Sequence, residues 1–277
     1  MVTYSGASLQ EVWYSILRDL LRLGTSSAPR GLATAEIAPA AITLTDPTAS
    51  VITDSSRRLN QAFAAAEFCW VMAGDDTAAK LSRFNSRIAQ FADQDGGARF
   101  FGAYGPKVAG QLPYVLEALR REDSRQAVIS IWRESPPPTR DVPCTLSLQF
   151  LLRRGRLSLI VTMRSNDVWL GLPYDAQLFT RIQVWVASQL GCELGQYYHV
   201  AGSLHLYATD FVAAARVLQV KCVSRPGRIS SQFAVKTLAS SVWDSIDDFD
   251  VRLMDFGDGW NDLRDVMTGY LERKAAK

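Results

Sequence analysis

The sequence predicts an α+β fold in a single domain spanning residues 1–277. Two observations predict the class: apolar residues recur at helical spacing toward both ends, and the middle of the chain changes to strand-like runs. A third bears on the domain count: there is no internal repeat, low-complexity tract or obvious linker, and 277 residues with 48% apolar and 21% charged side chains suffice for one large core.

The elements follow in order. Ser8-Leu9-Gln10-Glu11 reads as a capping box; Leu9, Val12, Trp13, Ile16, Leu17, Leu20 and Leu21 then keep helical spacing until Gly24. Thr25 to Gly31 reads as a loop. A second helix is predicted over Arg58 to Ala73, ending at Gly74-Asp75-Asp76, and a third over Leu112 to Arg121. Ala127 to Trp132 reads as a strand and Pro136-Pro137-Pro138 as loop. Thr145–Leu152 and Arg156–Met163 flank Arg153-Arg154-Gly155, a hairpin signal. Leu178 to Leu190 is helical in pattern, Gln196 to Leu206 extended, Phe211 to Val220 helical, and Trp260 to Arg273 amphipathic.

A net charge of +2 argues against a surface that coats nucleic acid or a polybasic membrane anchor. Cys69, Cys144, Cys192 and Cys222 are widely spaced, and His199 and His205 are the only histidines, so neither a disulfide framework nor a metal site is expected. With no signal-like start and no long apolar run, a reduced, cytoplasmic protein is the expectation.

The chemistry concentrates in Pro143-Cys144 and in Arg164-Ser165-Asn166-Asp167-Val168-Trp169-Leu170-Gly171-Leu172-Pro173-Tyr174-Asp175. A thiol becomes a strong nucleophile as the thiolate, which nearby positive charge favours. An arginine beside a serine suits a phosphate. Read alone, Cys144 is more readily a small buried hydrophobe, and Arg164 beside Ser165 an exposed strand-end arginine with a turn serine. Upstream, Glu67 lies between Ala64-Ala65-Ala66 and Phe68-Cys69-Trp70, an apolar setting for a carboxylate.

Pro143-Cys144 with Gln149-Phe150, Arg164-Ser165-x-Asp167-x-x-Leu170-Gly171-x-Pro173-Tyr174 and His205-Leu206-Tyr207, in that order and spacing, resembles thymidylate synthase and its pyrimidine-hydroxymethylase relatives. Pro29-Arg30-Gly31, Glu67-x-x-Trp70-x-x-x-Gly74-Asp75, Ala103-Tyr104-Gly105 and Asp123-Ser124-Arg125 extend the resemblance over most of the chain. It implies a mixed sheet with flanking helices, dimerising through the sheet. It further implies that Cys144 attacks C6 of a pyrimidine, making C5 nucleophilic toward a one-carbon unit from 5,10-methylenetetrahydrofolate. Glu67 would move protons through ordered water, with Tyr104 near the thiol or C5. Arg30, Arg164 and Ser165 would hold the 5′-phosphate, with Arg125 donated by the second subunit of a homodimer; where the family has two arginines this chain has Arg125-Gln126. His205 and Tyr207 would reach the sugar hydroxyl, and Asp167 would accept from the folate ring.

Asp175 departs from the synthases, which carry asparagine there. A carboxylate accepts from N4 of cytosine and stabilises a protonated N3, whereas an ionised aspartate repels O4 of uracil. The relatives with this aspartate are cytidylate hydroxymethylases, and the whole pattern resembles the type from mildiomycin-like nucleoside-antibiotic biosynthesis. The segment Ile88 to Asp95 contains no tryptophan to shield a C5 methylene, and Leu271–Lys277 is unlike the apolar closing tail of synthases, so water rather than hydride is expected to complete the reaction. Ala176 would leave room for a 2′-hydroxyl, with Arg133 near the pocket. The expected substrate is CMP, with dCMP second; a methylating synthase and a nucleotide-binding protein without turnover are the alternatives.

Overall fold

A computed structural model describes residues 1–93, 95–220, 225–248 and 250–277. Cys222, and Gln94 of the tryptophan-free segment, lie outside the described residues. The fold is α+β, and the chain divides into two compact units: residues 1–59, 144–183 and 193–229, and residues 60–143, 184–192 and 230–277.

The first unit is built on a mixed sheet. Strand Val2–Gly6 runs parallel to Ala40–Leu44, which pairs antiparallel with Glu193–Ala201. That strand lies parallel to Arg156–Met163, itself antiparallel to Thr145–Arg153. The predicted hairpin is present, and Arg154 and Gly155 both take positive φ, 52° and 74°, the conformation a two-residue turn needs to match strand twist. Along Arg156–Met163, Leu157, Leu159, Val161 and Met163 are buried while Ser158, Ile160 and Thr162 are half-exposed, so one face of the sheet forms the core. Helix Leu9–Leu23 belongs to this unit; the Ser8–Glu11 capping box is formed, and Trp13, Ile16 and Leu17 are fully buried.

A smaller sheet carries the order Thr25–Ser27, Thr34–Ile37, Leu204–Tyr207, Asn166–Asp167. The extended run expected from Gln196 to Leu206 is thus two strands in different sheets, broken at Gly202-Ser203. Helix Leu172–Leu190 begins six residues before the predicted Leu178. Pro173 reads as a loop signal but is tolerated in a first helical turn, where its missing N–H has no helical partner to lose. The correction puts Asp175 in that first turn.

In the second unit, helix Gln61–Met72 starts three residues later than expected because Asn60 caps it, accepting from the N–H of Phe63 at 3.0 Å. It is apolar on nearly every face; Phe68 stacks on Phe233 at 5.3 Å and meets Trp260 of helix Trp260–Ala275 at 5.7 Å. Helix Gly105–Arg121 starts seven residues before the predicted Leu112, with Pro106 in its first turn, and continues through Pro113.

Candidate active site

In the first unit hydrogen bonds link Cys144 to Arg164 and Ser165 to His205. The hairpin ends with Thr145 opposite Met163, so the chain on either side continues as Cys144 and Arg164, and the Arg164 N–H donates to the Cys144 carbonyl at 2.9 Å. The Arg164 carbonyl accepts from Ser203 at 3.2 Å, tying this crossing to the start of strand Leu204–Tyr207. Cys144 is half-buried and Arg164 exposed.

Ser165 Oγ and Ser203 Oγ each lie 3.5 Å from Nδ1 of His205, and Ser203 donates to Glu36. Burial holds the His205 imidazole below its ordinary range, while Asp167 pulls the other way. The His205 and Tyr207 rings meet edge-on, centroids 5.1 Å apart, as alternate residues on one face of a strand should. Arg30 sits in the turn between Thr25–Ser27 and Thr34–Ile37, in a left-handed conformation (φ 55°) uncommon for a side-chain-bearing residue. Its charge reaches His205, where it opposes protonation.

Asp167 Oδ1 accepts from the N–H groups of Trp169 at 2.8 Å and Leu170 at 3.2 Å, capping the turn into helix Leu172–Leu190. Burial nevertheless raises its pKa. Asp175 Oδ2 accepts from Asn166 Nδ2 at 2.7 Å; burial is the main cause pushing this carboxyl up to about 7, with the charge of Asp167 adding to it. Ala176, beside it, is fully buried, and its carbonyl accepts from Thr180.

Glu67, Tyr104 and Arg125 belong to the second unit. Glu67 is half-buried on helix Gln61–Met72 among fully buried neighbours. Tyr104 occupies the N-cap of helix Gly105–Arg121, and Arg125 is exposed beside the buried Ser124. Arg133, also here, lays its guanidinium over the Phe101 ring at 4.3 Å.

The sequence pattern of thymidylate synthases matches residues 12–256. The chain belongs to the thymidylate synthase family. It is 33% identical over 235 residues to the deoxyuridylate hydroxymethyltransferase of Bacillus phage SP01, covering 77% of this chain and 61% of that one. The corresponding enzyme of Pseudomonas phage M6 is 32% identical over 172 residues, 58% of this chain and 48% of its own length. The chain therefore spans less than two thirds of the length of these relatives.

Two residues beside the predicted site residues are not marked by any local pattern in the sequence. Asn166 is one, standing between Ser165 and Asp167 with nothing local to mark its contact nine residues away. Arg57 is the other. Its guanidinium stacks on Trp169 at 4.7 Å and donates to the Trp169 carbonyl at 2.6 Å, while its Nε is buried with no hydrogen-bond partner among the described residues. Asp167, Asp210 and Tyr174 lie within electrostatic reach. An Arg57-Arg58 doublet is the one sequence signal for it, and such doublets are common on solvated surfaces.

Proposed function

We propose that this chain is a pyrimidine-nucleotide C5-hydroxymethyltransferase acting on CMP, with dCMP second, and that residues 1–277 form one catalytic domain. The observation that carries the base assignment is Asp175, held by Asn166 at 2.7 Å in the first turn of helix Leu172–Leu190. A carboxylate there accepts from N4 of cytosine and favours a proton on N3 as the thiolate adds to C6.

In this reading Cys144 supplies the thiolate, a form that positive charge favours. Arg30, Arg164 and Ser165 hold the 5′-phosphate, and Tyr207 and His205 the sugar, His205 as a neutral imidazole. Glu67 relays protons through ordered water, and Tyr104 hydrogen-bonds near the thiol or C5. Methylenetetrahydrofolate supplies the one-carbon unit when bound. The donor set suits it: Asp167 commits one oxygen to the turn, leaving the other for an amino and N–H edge. Arg125 completes the phosphate site across a homodimer. The half-exposed sheet face bearing Ile160, Tyr198 and Val200 supports that interface.

A second reading, dUMP, has its own support. Both relatives above are named for deoxyuridylate. With its carboxyl pushed up to about 7, Asp175 is partly neutral at neutral pH, and a carboxylic acid donates to O4 of uracil where a carboxylate repels it.

The deciding experiment incubates the protein with methylenetetrahydrofolate and CMP, dCMP or dUMP in parallel and weighs the products. A hydroxymethyl adduct on CMP supports the first reading; an adduct on dUMP alone replaces it with the second. A methyl product, with the absorbance rise of dihydrofolate, would make the chain a methylating synthase.

A further inference from the structure

Asn166 opens the two-residue strand Asn166–Asp167 and is held by its backbone, whose N–H donates to the Ser203 carbonyl at 2.8 Å. The residue is 3% exposed. Nδ2 donates to Asp175 Oδ2 at 2.7 Å, whereas Oδ1 is buried with no hydrogen-bond partner among the described residues. An unsatisfied buried carbonyl is costly, so a smaller apolar residue would relieve a penalty at this position. What the asparagine provides in return is one bond, and that bond goes to the carboxyl. Gly171 closes the corner: a Cβ there would lie 3.1 Å from Asn166 Nδ2 and 3.3 Å from Asp175 Oδ2.

We propose that Asn166 is a positioning residue for base recognition, engaging Oδ2 of Asp175 so that Oδ1 is the oxygen presented to the pyrimidine edge. The inference rests on the reading of Asp175 as the base-contacting group. An untethered aspartate in a first helical turn rotates about both side-chain torsions and offers either oxygen; the amide fixes the plane of the carboxyl before the base arrives.

The tether is also electrostatic. An amide N–H favours the charged form of the carboxyl it meets. The groups acting on Asp175 are otherwise unhelpful to its charge. Asp167, in the preceding turn, repels it. On strand Glu193–Ala201, Tyr197 is within electrostatic reach, and its hydroxyl is hydrogen-bonded to the buried His199 at 2.8 Å. Asn166 is thus the neighbour that keeps Asp175 ionisable near neutrality. Without it the carboxyl stays protonated to higher pH and tolerates O4 of uracil.

The test measures tritium release from C5 of CMP against UMP, and dCMP against dUMP, from pH 6 to 9. Asn166→Ala should lower the cytosine-to-uracil ratio of kcat/KM about tenfold at neutral pH and move its pH midpoint up by about one unit, the scale set by one charge-assisted hydrogen bond. Gly171→Ala, which crowds the same bond from the other side, should move the midpoint in the same direction and serves if Asn166→Ala fails to fold. In an Asp175→Asn background, Asn166→Ala should leave the ratio unchanged. A wild-type midpoint in a folded Asn166→Ala or Gly171→Ala enzyme overturns the proposal, as does additivity in the double variant. An Asp175→Asn enzyme with the parental ratio instead removes the base-reading role of Asp175, a separate failure.

Discussion

The backbone N–H of Arg164 and the carbonyl of Cys144 are hydrogen-bonded at 2.9 Å. This contact joins the thiol proposed to attack the base to the arginine proposed to hold the phosphate, at the open end of one hairpin. Geometry at that end is set by the sheet rather than by loops: Thr145 pairs with Met163, and Ser203 ties Arg164 to the neighbouring strand. The same frame fixes Cys144 and the Arg164–Ser165 pair relative to each other.

Cys144→Ser should bind nucleotide and lose chemistry. A serine hydroxyl is far less ionised than a thiol at neutral pH, so addition to C6 fails while phosphate and sugar contacts persist. We expect C5 tritium release to fall by on the order of a thousandfold or more, the scale of removing a nucleophile, with CMP binding retained by calorimetry. Exchange at the parental rate would take Cys144 out of the mechanism.

Arg164→Ala should weaken nucleotide binding without altering base preference. One charge-assisted contact to phosphate corresponds to about 10- to 100-fold in affinity. The loss should be seen with CMP and be nearly absent with cytidine, which has no phosphate to hold. Equal losses for nucleotide and nucleoside would place Arg164 outside the phosphate site.

Asp175→Asn should relax the choice between cytosine and uracil nucleotides, because an amide presents either a donor or an acceptor to the base edge. The expected change in the kcat/KM ratio is about tenfold or more. It should be larger at pH 8 than at pH 6, since the parental carboxyl, pushed up to about 7, is ionised only at the higher value.

How far these residues could be read in the sequence depended on whether the determining contact was local. The Ser8–Glu11 capping box and the Arg154-Gly155 turn are encoded within a few residues and are where the pattern puts them. Strands Val2–Gly6 and Ala40–Leu44 are five residues each and acquire definition only from partners far along the chain, so neither shows as a period. Pro173 concealed the start of its helix and with it the helical setting of Asp175. Asn166 and Arg57 are marked by burial and by contacts to residues 9 and 112 positions away, which no local spacing expresses.

His199 predicts a pH dependence of stability. Burial depresses its pKa from 6.5 to about 4, and its Nδ1 is hydrogen-bonded to the neutral Tyr197 hydroxyl. The folded chain therefore keeps it neutral while the unfolded chain takes up a proton, so its contribution is complete above pH 6.5 and is lost as pH falls toward 4. That loss is worth about 3 kcal/mol. Asp175 works in the opposite sense, being more readily protonated when folded, so the measurement compares His199→Gln with its parent. In urea unfolding, the variant should gain on the parent as pH falls from 7 to 4.5. A constant difference across that range would show that His199 is not held neutral.

Arg125 provides the test of the homodimer. It is exposed on the second unit, next to the buried Ser124 and the glutamine that stands where the family has a second arginine. If it completes the phosphate site of the partner subunit, Arg125→Ala and Cys144→Ser disable a site from different subunits. Each variant alone should be inactive or severely impaired. Unfolded together and refolded, half of the dimers are mixed by statistics, and each mixed dimer holds one site with both native residues and one with neither. About a quarter of the parental activity should then return. Contribution from the same subunit predicts no recovery, because every site would retain one of the two defects.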